Sequence, residues 1–385
     1  METNLDPALS LSELLDRQLV YLCELVDTDS RPARALLTDL LGPSALRPLS
    51  RPPAWPSSVA DDGTPVEFSI AFNENERPTL RVLGEALAPV PSGAANLSAA
   101  RRFVRARAAE FGLPLSRFER VHEVFAAADP PNGFGIWQSL AFGPGRRPEF
   151  KVYFNPEIRG VDEAPGLVTE AMERLGLGPS CRAVRQRATR PGELGRLDRL
   201  AFFALDLHDG PHARVKVYLS HHDAQARDVV AAAGAVDGID PDEVAEFCAL
   251  AGGGTETFAR RPLVGSYTFL GGARGPAGYS VYVPIRSYVD HDAEAYDRVS
   301  ALLSRYGFDA SVLERAIAGL TRRPLHAGVG LIAHVSLRLG PPRPGVTVYL
   351  STEAYRVFPP RRPMAVGEPG RGEPRPLCAN RSESE

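Results

Sequence analysis

Cysteine is scarce in this chain. Four residues, Cys23, Cys181, Cys248 and Cys378, are scattered over 385 positions, a pattern that fits neither a disulfide framework nor a zinc site. The eight histidines show no metal-ligand spacing, and His221-His222 closes a strand. No GxSxG, P-loop or post-strand GxGxxG is found, and Gly252-Gly253-Gly254 is not followed by Lys-Ser or Lys-Thr. Apolar runs fall far short of the roughly 20 residues that span a bilayer, so no membrane is expected. Residues 1–7 lack a basic region followed by an apolar core, so no signal peptide is expected and a reducing cytoplasm is the expected compartment. A formal net charge of −3 gives no reason to expect a nucleic-acid partner.

What is present is a repeat. Glu149-Phe150-Lys151-Val152-Tyr153-Phe154 returns as Arg214-Val215-Lys216-Val217-Tyr218-Leu219, Tyr279-Ser280-Val281-Tyr282-Val283 and Val346-Thr347-Val348-Tyr349-Leu350. The tyrosines recur at intervals of 65, 64 and 67 residues, and Thr79-Leu80-Arg81-Val82-Leu83 is a weaker first copy. A long fixed period sets architecture before any local pattern does. Each copy follows another apolar run and a Gly, Pro or Asn turn, the runs being 66–72, 136–142, 200–207, 264–270 and 335–339. That pairing is a hairpin signal, and five hairpins make ten strands.

Residues two apart on a strand share a face. Lys151 with Tyr153, and Arg214 and Lys216 with Tyr218, therefore point one way, and Arg81 holds the register of Lys151 and Lys216. Cations and tyrosines on one face are costly in a packed core. They suit a wide, wet barrel lumen that holds an anion.

Between hairpins the apolar spacing turns helical. Helices are expected over 9–26, with Ser10 or Ser12 as N-cap, then 31–41, 97–111, 115–126, 167–175, 182–186, 223–233, 241–250, 290–306 and 310–320. Asp240 is the expected N-cap before Pro241, and Gly307 the expected stop of the ninth. The expected fold is thus α+β, a ten-stranded antiparallel barrel wrapped by helices in five αα-ββ units. Residues 1–358 form the expected single domain, and 359–385 an expected disordered tail.

This αα-ββ plan, together with Pro65-Val66-Glu67-Phe68-Ser69, Lys151-Val152-Tyr153, Arg214-Val215-Lys216-Val217-Tyr218 and Thr347-Val348-Tyr349-Leu350, resembles the dimethylallyltryptophan synthase family of aromatic prenyltransferases. The likeness covers roughly residues 10–355 and is greatest to the bacterial branch acting at indole C6. It implies transfer of a dimethylallyl group from dimethylallyl diphosphate to C6 of L-tryptophan, with no cofactor and no magnesium requirement. Asp61-Asp62 is followed by Gly63-Thr64, without a third aspartate at metal-motif spacing.

On this resemblance Arg81, Lys151, Arg214 and Lys216 clamp the diphosphate, whose charge grows as the C–O bond breaks. Tyr153, Tyr218, Tyr282 and Tyr349 shield the allylic cation, with Ser280 as a further diphosphate ligand and Arg338 a candidate for the diphosphate or the amino-acid carboxylate. Glu67 accepts the indole N–H, and Arg199 is a candidate for the amino-acid carboxylate. Arg286 reads equally as an exposed strand end. Fungal enzymes that alkylate C4 carry a lysine base before Leu-Ala of the second hairpin. Here Gln138-Ser139 precedes Leu140-Ala141, which argues against C4, makes these two residues substrate-binding candidates and leaves the base open. Fungal members often have glutamine where Ser280 stands. Two other readings stand beside this one: the same fold prenylating another indole, a cyclic dipeptide or a phenol, and a non-catalytic barrel for an amphipathic ligand. The oligomeric state is left open.

Overall fold

The computed structural model describes residues 8–127, 133–273, 275–340 and 344–361. Most of the expected tail, Cys378 and residues 1–7 lie outside the described residues.

Ten strands form one closed antiparallel barrel: β1 (Val66–Asn73), β2 (Thr79–Glu85), β3 (Ile136–Phe142), β4 (Glu149–Phe154), β5 (Asp198–Asp206), β6 (Arg214–His221), β7 (Leu263–Leu270), β8 (Gly278–Val283), β9 (Ile332–Leu339) and β10 (Gly345–Ser351). Each strand pairs with its sequence neighbours, and β1 closes on β10 with Ser69 opposite Tyr349. Closure removes the free edges that ten open strands would present.

A helix pair precedes each hairpin: α1 (Leu11–Leu25) and α2 (Ser30–Leu41), α3 (Gly93–Phe111) and α4 (Ser116–Val121), α5 (Ala164–Arg174) and α6 (Gly178–Ala188), α7 (Ala226–Ala233) and α8 (Pro241–Gly252), α9 (Asp292–Arg305) and α10 (Ser311–Leu320). Local chemistry sets their ends. Ser10 and Glu13 form a capping box, and Asp240 accepts from the N–H of Asp242 with Pro241 in the first turn. Gly307, at φ 71°, takes the left-handed position after α9. Boundaries shift where capping was missed. Ser92 caps α3, which begins four residues before the expected start, and Gly178-Pro179 opens α6 early. Helix α4 stops at Val121 because the next bonds, Val124 N–H to Val121 and Ala126 N–H to Glu123, are three-residue turns.

The apolar core is a shell between barrel and helices. Outward positions such as Phe68, Ile70, Val82, Val152, Phe154, Val215, Val217, Val281, Val335 and Val348 are all buried. Strand alternation therefore sends the other half of each strand into the lumen.

Candidate active site

The lumen is layered, because strand registers bring like residues to like depth. At the hairpin-turn end lies a cavity of about 510 Å³ lined by Arg81, Lys151, Arg214, Lys216 and Arg338. Two residues deeper on β4, β6, β8 and β10 come Tyr153, Tyr218, Tyr282 and Tyr349. Beyond them are Glu67 on β1, opposite Ser351 and Leu83, and His334 on β9, opposite Tyr349.

The cationic layer is organised by Asp206, only 3% exposed at the end of β5. Its Oδ1 lies 2.9 Å from Lys151 Nζ. Its Oδ2 accepts from Arg214 Nε at 2.6 Å and from the Arg214 backbone N–H at 3.1 Å, and His208 is 3.5 Å away. Burial opposes the charge of Asp206, but Lys151, His208 and Arg214 outweigh it and hold the carboxyl well below the usual range. Burial lowers the Lys151 amine to about 8, with Asp206 opposing and Arg214 and Arg81 adding. Lys216 and Lys151 are the only two lysines of the chain. Burial, and then Lys151, Arg214 and Arg81, push Lys216 well below its ordinary value. Arg338 donates to Asn73 Oδ1 at 3.0 Å.

The tyrosines form a continuous belt. Ring centroids are 5.9 Å apart for Tyr153 and Tyr218, 5.8 Å for Tyr218 and Tyr282, and 6.1 Å for Tyr282 and Tyr349, with His334 edge-on to Tyr349 at 6.2 Å. Phe202 meets Tyr153 and Tyr218 edge-on.

The deepest layer is largely apolar and holds two buried carboxyls, Glu67 and, opposite Trp137, Glu85. Trp137 stacks on Phe134 at 3.8 Å, and both pack with Val59, Leu83 and Phe202. Glu67 is 7% exposed and makes no hydrogen bond among the described residues. Burial pushes its carboxyl up to about 8. Burial, then Arg261 and Arg286, push His334 down to about 3, so its imidazole is neutral.

Across this end runs a strap, residues 55–62. Trp55 Nε1 (3.1 Å) and Ser57 Oγ (2.5 Å) donate to Glu85 at the end of β2. Asp61 pairs with Arg261 at 2.8 Å and with Arg286. Arg261 precedes β7, which stands opposite β2 in the ring of ten strands, so the strap crosses the barrel mouth and sets Val59 into it.

The sequence-derived candidates sort accordingly. Arg81, Lys151, Arg214, Lys216, Arg338, Ser139, Ser280 and the four tyrosines share the one cavity, and Glu67 lies beneath them. Gln138 does not join them. It pairs in register with Val152 and Gly84, which puts it on the outer face, 1% exposed, against the helices. Arg199 is held by Glu157 in a two-nitrogen ion pair away from the cavity lining. Arg286 is not an exposed strand end; it is buried, pairs with Asp61 and lies 4.6 Å over the Phe358 ring. Sequence reading missed Asp206, His334, Glu85 and the strap. A signal for Asp206 did exist, since it shares strand parity with Ala204, opposite Lys216, and ends an otherwise apolar run. Among the described residues no group of three or more His, Cys, Asp or Glu is placed to hold a metal ion, and no helix is long and apolar enough to cross a membrane.

A closed αα-ββ barrel with a cationic mouth and a tyrosine-belted lumen is the architecture of the aromatic prenyltransferases, and this chain is an enzyme of that class. It belongs to the tryptophan dimethylallyltransferase family, whose sequence profile matches residues 32–315. It is similar to the 6-dimethylallyltryptophan synthase from Micromonospora olivasterospora, solved in complex with DMASPP and Trp, at 63% identity and a TM-score of 0.89, covering 91% of this chain and 100% of that one. The prenyltransferase PriB, in a ternary complex with L-tryptophan and dimethylallyl thiolodiphosphate, is 36% identical with a TM-score of 0.86, over 93% of this chain and 100% of that one. The 5-dimethylallyl tryptophan synthase from Streptomyces coelicolor is 35% identical with a TM-score of 0.84, over 93% and 99%.

Proposed function

We propose that this enzyme transfers the dimethylallyl group of dimethylallyl diphosphate to C6 of L-tryptophan by electrophilic aromatic substitution, without a metal ion, in the cytoplasm. The observation that carries the reading is the layering of cations, tyrosines and a buried carboxyl along one lumen. Identity supports position 6: 63% to a 6-synthase against 35% to a 5-synthase. The free thiols of Cys23, Cys181 and Cys248 fit a reducing compartment.

Each layer has a task, and residues 1–358 act together as one catalytic barrel. Arg81, Lys151, Arg214 and Lys216, with Arg338 and Ser280 at the rim, bind the diphosphate and stabilise the charge that develops as its C–O bond breaks. The allylic cation forms inside the tyrosine belt, where aromatic faces attract it and keep water from capturing it as an alcohol. The indole lies in the apolar layer and attacks with C6, while Glu67 accepts its N–H and offsets the positive charge of the arenium intermediate. Loss of the ring proton restores aromaticity. Holding both reactants in one lumen supplies the orientation that selects the carbon.

The test is incubation with L-tryptophan and dimethylallyl diphosphate in EDTA, with mass spectrometry and NMR of the product. Tryptophan prenylated at C6 supports the reading in full. Turnover only with another indole or a phenol moves the acceptor, and absence of diphosphate release from dimethylallyl diphosphate with any aromatic acceptor sinks the enzyme assignment for these substrates.

A further inference from the structure

At the depth of the two lysines the acid is Asp206, while Glu74, Glu76 and Glu149 line the same cavity from the hairpin turn and the start of β4. Asp206 gives Oδ1 to Lys151, and Oδ2 to the side chain and backbone of Arg214. Neither oxygen pairs with Lys216, which is 7% exposed and forms no ion pair or hydrogen bond among the described residues. The strands around it explain why. On β5 the residue opposite is Ala204, with Asp206 engaged elsewhere and His208 beside it. On β7 it is Thr268, and that strand presents no ionisable group on this face. Its own strand offers Arg214 and Tyr218, and β4 offers Lys151 and Tyr153, with Glu149 out at the turn. Arg81 and Arg338 face it across the lumen from β2 and β9, and Tyr282 and Tyr349 from β8 and β10. Lys216 is thus a buried amine among four cations, with Asp206, the acid at its depth, paired to Lys151 and Arg214.

We propose that Asp206 is a positioning residue which keeps Lys151 and Arg214 paired and aimed in the empty lumen, and that Lys216 waits there as an uncharged amine, gaining its proton together with the donor diphosphate. This rests on the donor reading above. Binding then follows a balanced equation: neutral amine, one solvent proton and the polyanion give an ammonium–diphosphate pair. Release of diphosphate returns the proton. Only an anion carrying enough charge to offset all the surrounding cations completes the clamp, so the device favours diphosphate over singly charged anions. Burial and the neighbouring cations lower the proton affinity of Lys216 in the empty site, and a bound polyanion reverses the sign of that field.

The chain holds only two lysines, so protein carrying ¹³C at the lysine ε-carbons gives two reporter signals, assigned with Lys216→Arg. Titrated from about pH 6 to about pH 9, a range that brackets shifted amines, the free protein is expected to lose the Lys216 proton at lower pH than that of Lys151. Saturating inorganic pyrophosphate is expected to return the Lys216 signal to its ammonium position at constant pH. Calorimetry in buffers of different ionisation enthalpy is expected to show about one more proton taken up by the wild type than by Lys216→Met, the ligand's own ionisation cancelling between them. In Asp206→Asn the Lys151 signal is expected to titrate lower than in wild type, a shift that a merely structural role for Asp206 does not produce. A Lys216 signal that stays ammonium throughout the free-protein titration overturns the inference, as does a Lys151 titration indifferent to Asp206→Asn. The free-protein titration uses no ligand and so judges this inference by itself. Absence of any pyrophosphate binding instead overturns the donor reading, and the proton uptake with it.

Discussion

The hydroxyls of Tyr153 and Tyr218, 65 residues apart in sequence, lie 3.5 Å from each other in the lumen, with their rings 5.9 Å apart. Equivalent positions of successive repeats thus become neighbours in a ring, and four such positions make the tyrosine belt. The attraction of a cation lies in the ring face and not in the hydroxyl. Tyr218→Phe should therefore keep most activity. Tyr218→Ala should lose about 1–2 kcal/mol of cation stabilisation, roughly 5- to 30-fold in rate. It should also release prenyl alcohol, as water reaches the allylic cation. Product partitioning by liquid chromatography checks this; an unchanged ratio of alcohol to prenylated tryptophan in the alanine variant removes the shield role.

The two lysines should differ in stability while agreeing in function. Lys151→Ala takes a charged hydrogen-bonding partner from buried Asp206 and should cost about 1–3 kcal/mol. Lys216→Ala breaks no pair and removes the cost of burying an amine whose proton affinity burial and the neighbouring cations lower, so its denaturation midpoint should be unchanged or higher. Both should weaken donor use, and the double variant should lose about 100-fold or more in kcat/KM for dimethylallyl diphosphate. Full activity in the double variant sinks the clamp assignment.

Burial disfavours the charged form of Glu67 and raises its carboxyl to about 8, so at neutral pH the empty enzyme holds it protonated. If the carboxylate is the form that accepts the indole N–H, kcat/KM for tryptophan should rise with pH through a midpoint near that value. Lys151, lowered to about 8, loses charge over the same window, so kcat/KM for the donor should fall there. Opposite limbs for the two substrates are the signature, and Glu67→Gln should abolish the tryptophan limb alone. Stability has the same sign logic: the raised carboxyl helps fully below its ordinary value and loses that help as pH climbs through about 8. Urea denaturation should therefore find Glu67→Gln gaining on wild type as pH climbs from the ordinary carboxylate range to about 8, with the gain constant above it.

Glu85 anchors one end of the strap through Ser57 and Trp55, and burial raises its carboxyl to about 7 against the hydrogen bonds it accepts. Glu85→Ala should cost about 1–3 kcal/mol by leaving buried donors unpaired. It should also loosen Trp55, one of only two tryptophans in the chain. In a Trp137→Phe background the remaining Trp55 emission should shift red in Glu85→Ala, and emission identical to the background means that Glu85 does not hold the strap.

Much of this was legible in the chain. A period near 65 residues, strand parity and turn chemistry are local properties, and they placed ten strands, five helix pairs and the shared face of Lys151, Tyr153, Arg214, Lys216 and Tyr218. Parity alone also sends Gln138 outward and Ser139 inward, so the two adjacent candidates cannot both face the substrate. Helix ends slipped by a few residues because capping by Ser92 and Gly178-Pro179 lies outside the apolar pattern.

Pairing partners were decided only by tertiary structure. Which acid neutralises Lys151 depends on β5 lying beside β4, and which acid holds Arg199 depends on the turn after β4 folding back toward β5. The strap gains its meaning from β2 and β7 being opposite in a closed ring, a fact that no local window contains. The same holds for every shifted proton affinity in the site. Residue types and their faces belong to the sequence, while the field at Lys216 or Glu67 is a sum over neighbours from strands far apart in the chain, which closure of the barrel brings within a few ångströms.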